Sequence, residues 1–466
     1  MESNSIRNIL ASCLLALVTT LSAQAQQVNS FSVKQAVDYA LKNSVQVKNA
    51  LLDIQIQQQT NNEITARAYP QVNASVNVGY NPAVAVQTFP NFIAAGTYGV
   101  LVYQGVKDSS GKPIAAPSDF GVINAGFGTK YNASAGIDLN QLLFDGQVFV
   151  GLLARKASIQ FATKTAEVTT EMIKANIYKI YYQLVIARKQ IESIDANIGR
   201  FEKLLNDTRE IYKNGFAEKL DVDKVEVQLN NLKTEKLKAE NQIEAGMEGL
   251  KFLMAMPQKE QLVLTDTISE QELKENILDE NYSYDNRKEY QQLTLLEKLN
   301  GFNIKRYRLS KIPTLSLTAN YNKSAQRQQF DFLKGPYFTA AFVGVRLSVP
   351  LFEGGAKNAR IAQAKLELEK TQNNIEQMKL AIDNDVQQAR IRMKSALITM
   401  DSQKKNIELA EKVYSSTKLK YEQGLGSNQE IYSAQTELKV AQNNYYSSLY
   451  DAINAKIDYL KATGKL

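Results

Sequence analysis

The chain has 466 residues, with 55 Lys and Arg against 48 Asp and Glu, a net charge of +7, no histidine, no tryptophan and a single cysteine, Cys13. With no imidazole and no thiol beyond position 13, the sequence excludes a disulfide framework, Cys/His metal sites, cysteine nucleophiles and histidine acid–base catalysis. The basic residues are interspersed with acids along helical stretches, the pattern of a solvated mixed-charge surface and not of a nucleic-acid partner.

In chain order, residues 1–25 read as a secretory signal: Arg7, an apolar run from Ile9 to Leu21, then Ala23-Gln24-Ala25. Leu10-Ala11-Ser12-Cys13 matches a lipobox, but it sits near the start of the apolar run, where a lipobox should follow it. No later segment offers 18 consecutive apolar residues, so any membrane crossing must be made by a closed β-barrel.

Residues 26–256 form a first repeat: a helix, strands at about 71–86 and 130–143, and a long helical hairpin over 147–256. In the first strand Val72, Ala74, Val76, Val78 and Tyr80 alternate with Asn73, Ser75, Asn77 and Gly79; Tyr131 to Leu139 alternates likewise, with Asn132, Ser134, Gly136 and Asp138 between. Such alternation places apolar and polar sets on opposite sheet faces. A half-buried soluble sheet and a membrane barrel with a wet lumen both read this way. From Gln147 to Tyr212 proline is absent, and Ile177, Leu184, Ile191, Ile198, Leu205 and Tyr212 recur every seventh residue. Ile180, Ala187, Ile194, Phe201 and Thr208 fill the second seam of a coiled-coil heptad.

Residues 257–283, after Met256-Pro257, interrupt the helices. Residues 284–466 then repeat the plan, with strands at about 313–324 and 337–350 and a hairpin over 355–463. Here Leu315 to Tyr321 alternates with Ser316, Thr318 and Asn320. Ala341, Val343, Val345, Leu347 and Val349 alternate with Gly344, Arg346 and Ser348, with Phe342 out of pattern. The helix from Ala356 to Tyr421 carries Val386, Met393, Met400, Ile407, Tyr414 and Tyr421; its return carries Ile431, Leu438, Tyr445, Ala452 and Tyr459. Each outgoing helix is long enough to reach roughly 100 Å at 1.5 Å per residue.

The two copies share details. Tyr69-Pro70 and Ile312-Pro313 precede strands. Leu143-Phe144-Asp145-Gly146 and Leu351-Phe352-Glu353-Gly354 follow strand pairs. Tyr212-Lys213-Asn214-Gly215-Phe216 and Tyr421-Glu422-Gln423-Gly424-Leu425 end the long helices. Seventy-one residues separate Phe144 from Gly215 and 72 separate Phe352 from Gly424. Four strands cannot close a lipid-spanning barrel alone, since bacterial barrels begin at about eight. Either the sheet is soluble or several chains share one barrel.

With its helix, strand pair and long hairpin given twice, its Leu-Phe-(Asp/Glu)-Gly junctions, and its Tyr-x-x-Gly turns with an acid six residues beyond the glycine (Asp221, Glu430), the sequence resembles the TolC-like outer-membrane efflux protein family. The resemblance implies an α+β membrane protein: a homotrimer giving four strands per chain to one 12-stranded β-barrel, above a long α-helical coiled-coil barrel in the periplasm. It implies no cofactor, no bound metal and no catalytic residue. The implied role is the exit duct of a tripartite export system, passing small molecules such as drugs and toxic compounds. A periplasmic adaptor (membrane fusion protein) and an inner-membrane pump of RND or ABC type would open it.

On that resemblance Asn73, Ser75, Asn77, Asn132, Ser134, Asp138, Ser316, Thr318, Asn320 and Arg346 would line the lumen, and the opposite face would meet outer-membrane lipid. Residues 87–130 and 325–336 would be surface loops, and 257–283 an equatorial belt. At the periplasmic gate, Glu430 matches the first acidic position of a ring. The second is Ser433 here, the latch tyrosine is Tyr421, its acidic counterpart is Asp221, and the latch arginine is replaced by Gly426. Glu437 shares the Glu430 stripe. An ordinary first-turn carboxylate stabilised by the helix dipole stands beside the gate reading for Glu430, and a favoured helix-start aspartate beside that for Asp221. Adaptor docking would fall on the turns, at Asn214, Gly215, Phe216, Gly424, Leu425 and Gly426.

The alternatives are a duct for type I protein or peptide secretion, a periplasmic adaptor, a coiled-coil adhesin and a periplasmic enzyme. An adaptor carries one hairpin where this chain has two, an adhesin does not explain the paired strands, and no catalytic cluster supports an enzyme. The Asn-x-Ser sequons at Asn73, Asn132, Asn281 and Asn322 are read as chance.

Overall fold

The computed structural model describes residues 28–126, 128–275 and 281–466. The expected signal at 1–25, with Cys13, lies outside the described residues. The described residues divide into two compact units, those within Met1–Thr60, Ala154–Phe302 and Gln363–Leu466, and those within Asn61–Leu153 and Asn303–Ala362. Among the described residues no helix is long and apolar enough to cross a membrane.

The elements run β1 (Val28–Phe31), α1 (Val33–Asn43), α2 (Val45–Ala66), β2 (Gln71–Tyr80), β3 (Val86–Pro90), α3 (Phe92–Tyr103), β4 (Val122–Gly126) and β5 (Tyr131–Phe144). They continue α4 (Gly146–Lys213), α5 (Lys219–Met254), β6 (Gln261–Leu264), α6 (Glu270–Lys274), α7 (Lys288–Leu309), β7 (Thr314–Arg327), β8 (Phe338–Ser348), α8 (Ala356–Glu422) and α9 (Asn428–Ala462). Helix α4 has 68 residues and α8 has 67, close to the lengths read from the heptads.

In the first unit much of the heptad seams is buried, while Ile180, Ala187, Ile191, Ile198, Ile407, Tyr414, Tyr421 and Tyr445 are only partly covered and Tyr212 is exposed. Ile177, Leu184, Ile194, Phe201, Leu205 and Thr208 on α4, Val386, Met393 and Met400 on α8, and Ile431, Leu438, Ala452 and Tyr459 on α9 are all inside. One cluster joins α1 to α4, α5 and β6 through Ala36, Val37, Ala40, Ile177, Leu250 and Met254. Ser32 starts α1 with a capping box: its hydroxyl accepts from the Gln35 amide and the Gln35 side chain accepts from its own.

The N-terminal strand is an unexpected partner of the 257–283 segment, since β1 pairs in parallel with β6. Tyr181, fully buried, staples the two: its hydroxyl donates to the Phe31 carbonyl at 2.7 Å and accepts from the amides of Thr265 and Asp266 at 3.2 and 3.1 Å. Charge pairs tie α6 to the hairpin helices. Glu270 accepts from Lys404 at 2.8 Å and from the Tyr445 hydroxyl at 2.6 Å, and Lys274 meets Asp401 at 2.7 Å. Arg287, also buried, donates to the Ala462 carbonyl at the end of α9 and pairs with Glu289.

In the second unit an antiparallel sheet has the order β2-β5-β7-β8. Leu143 is an extra residue in β5 opposite β7, a bulge at the strand's end. Three expectations need amending here. The strand expected over 71–86 stops at Tyr80, because Asn81 donates a last bond to Lys130 and Pro82 has no N–H to continue the ladder. The surface loop expected over 87–130 has structure of its own: β3 and β4 form a two-stranded sheet, and α3 follows β3. The shorter loop starts later than expected, since β7 runs to Arg327, whose guanidinium then donates to the Asp331, Lys334 and Pro336 carbonyls.

Candidate functional site

Three surfaces carry the candidate residues: the hairpin turns, the α9 stripe beside them, and the polar face of the four-stranded sheet.

The turns are built alike. Gly215 (φ 79°) and Gly424 (φ 71°) adopt the left-handed conformation just past α4 and α8. At the first, the Gly215 amide donates to the Tyr212 carbonyl and Phe216 to that of Ile211; at the second, Gly424 donates to Tyr421 and Leu425 to Lys420. Each is a Schellman motif, which satisfies carbonyls the helix end leaves orphaned. The residue after the glycine normally makes an apolar contact with the preceding turn. Phe216 and Leu425 instead stand 86% and 77% exposed. Asn214 caps its own helix by donating to the Glu210 carbonyl. Gly426 lies against the backbone: a Cβ there would stand 3.1 Å from the Tyr421 nitrogen.

Beyond the second turn Ser427 is the N-cap of α9, accepting from the Glu430 amide at 3.2 Å. Glu430, Ser433 and Glu437 fall on the exposed side of that helix, opposite buried Ile431, Ala434 and Leu438. Phe201, Leu204, Leu205, Val222, Val225, Leu229, Leu232 and Ile431 form the core beneath. Tyr421 packs on this core. Its hydroxyl donates to Asn428 Oδ1 at 2.7 Å, and Thr208 approaches the same oxygen at 3.5 Å. Burial pushes the Tyr421 phenol up, a Thr208 hydroxyl pulls it back, and the Asp207 and Asp221 carboxylates add to the rise. Asp221 itself lies in the first turn of α5, 4.0 Å from Lys224. The structure therefore joins Tyr421 to Asn428 and Thr208 by hydrogen bonds, and to Asp221 only through its field.

A polar crossing between α4 and α9 was not foreseen. Ser193 and Asn197 both donate to Gln442 Oε1, at 2.9 and 2.8 Å, and all three are buried. Arg200 donates to Asn197 Oδ1 at 2.6 Å and stacks over Tyr414, and burial holds its guanidinium below the usual arginine value. The one signal in the sequence is the spacing of Ser193, Asn197 and Arg200, three and four apart on a face next to the heptad seam.

On the sheet, the register places all ten polar candidates on one face. Asn73, Asp138 and Asn320 are paired across three strands, with Asn320 donating to Asp138 at 2.6 Å. Ser75 opposes Gly136, Asn77 opposes Ser134, Asn132 opposes Gln326, and Thr318 opposes Asn140 and Gly344. Ser316 opposes Arg346. Phe342 shares this face opposite Asn320, with its ring tip over Gly344, where a Cβ would stand 2.5 Å from Cζ. The other face presents Val72, Val76, Val78, Ile137, Val343 and Val345, each more than half exposed. Among the described residues no group of three acidic, His or Cys side chains is placed to hold a metal.

The family profile described as "Outer membrane efflux protein" matches residues 297–465, the larger part of the second repeat. The chain is similar to the outer membrane protein TolC of Vibrio cholerae, at 21% identity over 72% of this chain and 77% of that one. It is also similar to the alkaline protease secretion protein AprF of Pseudomonas aeruginosa, at 20% identity over 71% and 68%. Its fold matches the solved structure of the outer membrane protein VceC of Vibrio cholerae with a TM-score of 0.68 and 14% identity, covering 93% of this chain and 96% of that one. The duplicated hairpins, the strand pairs and these likenesses together make the chain similar to the outer-membrane efflux proteins of the TolC type.

Proposed function

We propose that three copies of this chain close one twelve-stranded barrel and serve, without chemistry of their own, as the exit duct for small molecules. The observation that carries this reading is the sheet β2-β5-β7-β8, amphipathic across its faces and open at both edges. Its strands alternate in direction, so β8 of one copy meets β2 of the next antiparallel, and the ring closes with no free edge. Two copies would give eight strands and three give twelve; the family resemblance selects three. The ten residues of β2 are about 33 Å long at about 3.3 Å each. Tilted by about 40°, they span about 25 Å, the height of a barrel's apolar band.

The polar face from Asn73 to Arg346 is then the lumen wall, and the Val72–Val343 face meets lipid. In the hairpin unit, a threefold ring of Glu430, extended by Ser433 and Glu437, favours cations at the constriction. Tyr421, Asn428 and Thr208 hold the hairpins in one packing. A periplasmic adaptor opens the duct by binding the open packing better than the closed one. It docks on the paired turns at Asn214–Phe216 and Gly424–Gly426, where the Phe216 and Leu425 side chains are largely exposed. An inner-membrane pump of RND or ABC type selects the cargo.

The test is photo-crosslinking in intact cells from Phe216 and Leu425, with identification of the captured proteins. An adaptor captured from both turns with a proton-driven pump supports small-molecule efflux. An adaptor with an ATP-driven exporter gives instead the secretion reading, which the likeness to AprF favours. Absence of any adaptor from both turns refutes the docking assignment.

A further inference from the structure

From Ala68 to Val106 the chain carries no charged side chain. That stretch holds β2, β3 and α3, and every charge of the insertion between β2 and β5 (Lys107, Asp108, Lys112, Asp119, Lys130) follows it. Helix α3, Phe-Ile-Ala-Ala-Gly-Thr-Tyr-Gly-Val-Leu-Val-Tyr, is apolar all round and contains no buried residue. One side, Ala94, Ala95, Tyr98 and Leu101, is half-covered, with Tyr98 against Phe120 at 5.7 Å. The other side, Phe92, Ile93, Val100 and Tyr103, is 56% to 91% exposed. A helix that is apolar all round belongs in a core or in lipid, and no core covers this one.

We infer that α3 is a membrane foot, its Phe92–Val100 face lying in the lipid hydrocarbon beside the barrel. Three observations choose lipid over a partner protein. The uncharged run is continuous with β2, whose Val72, Val76 and Val78 form part of the exposed apolar sheet face. The threonine and the two ends of α3 are closed on the chain itself: Thr97 donates to the Ile93 carbonyl, Asn91 caps the Ala94 amide, and the far end closes at Gly105 (φ 64°) with Val106 donating to Leu101. The charged hairpin that follows is held for water, Asp108 accepting from Ser110 and Lys112. Twelve residues make a helix of about 18 Å, too short to span a bilayer but fitting one leaflet. The foot would fix the barrel's depth and rotation against the leaflet through its buried apolar area.

The inference rests on the barrel reading, and the test separates the two. The sequence's only cysteine is Cys13, within the expected signal. The full exported chain, reconstituted in phosphatidylcholine vesicles, is labelled with an environment-sensitive fluorophore at Phe92→Cys, Val100→Cys, Val343→Cys or Ser110→Cys. Spin-labelled phosphatidylcholine and aqueous iodide serve as quenchers. The labels at 92 and 100 are expected to be quenched by lipid as strongly as the strand label at 343 and several-fold more than the label at 110, with the order reversed for iodide. Iodide quenching at 92 and 100, with lipid quenching kept at 343, overturns the foot and leaves the barrel. Quenching by neither agent at 92 and 100 means a second copy or another protein covers the helix, which also overturns it. A label at 343 that lipid does not quench overturns the barrel reading and the foot with it.

Discussion

The face assignment of the sheet is tested by two arginines. Val343 and Ser75 are both exposed in the single chain, Val343 to 73%. The protomer alone therefore predicts that Val343→Arg and Ser75→Arg cost little. The proposed assembly predicts otherwise. Val343 is the sixth of eleven residues in β8, in a row with Val72, Leu139 and Ala319 that holds no polar side chain. Arginine on the lipid face near the midplane costs about 2–4 kcal/mol per chain, and three copies raise that to about 6–12 kcal/mol per assembly. Ser75 is on the opposite face beside Gly136, where water and space are available, so its arginine is expected to cost under about 0.5 kcal/mol. Urea unfolding of the protein in lipid vesicles measures both. Even about 2 kcal/mol lowers the folded-to-unfolded ratio roughly thirtyfold. Equal costs, or a larger cost at Ser75, refute the assignment of lipid and lumen.

Other consequences are local. Tyr181→Phe leaves the Thr265 and Asp266 amides without the hydroxyl they donate to; a loss of about 2–4 kcal/mol is expected in denaturant unfolding, with faster hydrogen exchange across residues 261–266. Burial alone would raise the Glu270 carboxyl, but bonds from Lys404 and Tyr445 outweigh it and hold the group below the usual glutamate value of about 4.3. A folded value depressed below the unfolded one gives stability that is present above about pH 4.3 and lost as pH falls through the folded value. Exchange protection of α6 is therefore expected to fall in that acid window, and Glu270→Gln to remove the dependence. Tyr421→Phe removes the bond to Asn428, worth about 1 kcal/mol, and is expected to raise conductance of the closed channel in planar bilayers; unchanged conductance refutes its place in the gate. Gly215→Ala and Gly424→Ala force a side chain into the left-handed region, and each is expected to loosen its turn by about 1–2 kcal/mol, read as faster limited proteolysis there.

The parts of the fold that the sequence made legible are those with a period. Most residues at sevenfold spacing on α4, α8 and α9 are buried or half-buried because one helix face must meet its neighbours, and polar residues two apart share a sheet face because the pleat allows nothing else. Contacts without a period were not legible. The β1–β6 pair joins residues more than two hundred positions apart through a four-residue strand. Tyr181 reads as one more apolar heptad neighbour until its hydroxyl is seen against Phe31 and Asp266. Helix α3 is hidden for the opposite reason. It is apolar on every side, so it has no moment to betray it, and its neighbours Pro90 and Gly105 look like loop punctuation. Of the proposed gate, Glu430 and Ser433 came from the family resemblance and Glu437 from its sevenfold spacing, while the Asn428 and Thr208 partners of Tyr421 required the tertiary packing.

The two repeats show which likenesses are physical necessities and which are inheritance. The turns at Gly215 and Gly424 share the same positive φ and the same pair of backbone bonds, so one conformation selects glycine at both. The Leu-Phe-(Asp/Glu)-Gly junctions share letters but not causes. At Gly146 a Cβ would stand 2.8 Å from the Leu309 side chain, and φ is not in the left-handed region, so glycine answers a close approach. At Gly354 nothing lies within 4 Å, and φ is 58°, so glycine answers the backbone. The same motif thus survives in both copies under different constraints, while the hairpin turns survive under one. Beyond that shared backbone, both turns leave an apolar residue exposed, Phe216 and Leu425, which is what the proposed adaptor would meet. On the proposed docking both turns answer to one partner, a demand the junctions at the sheet do not share.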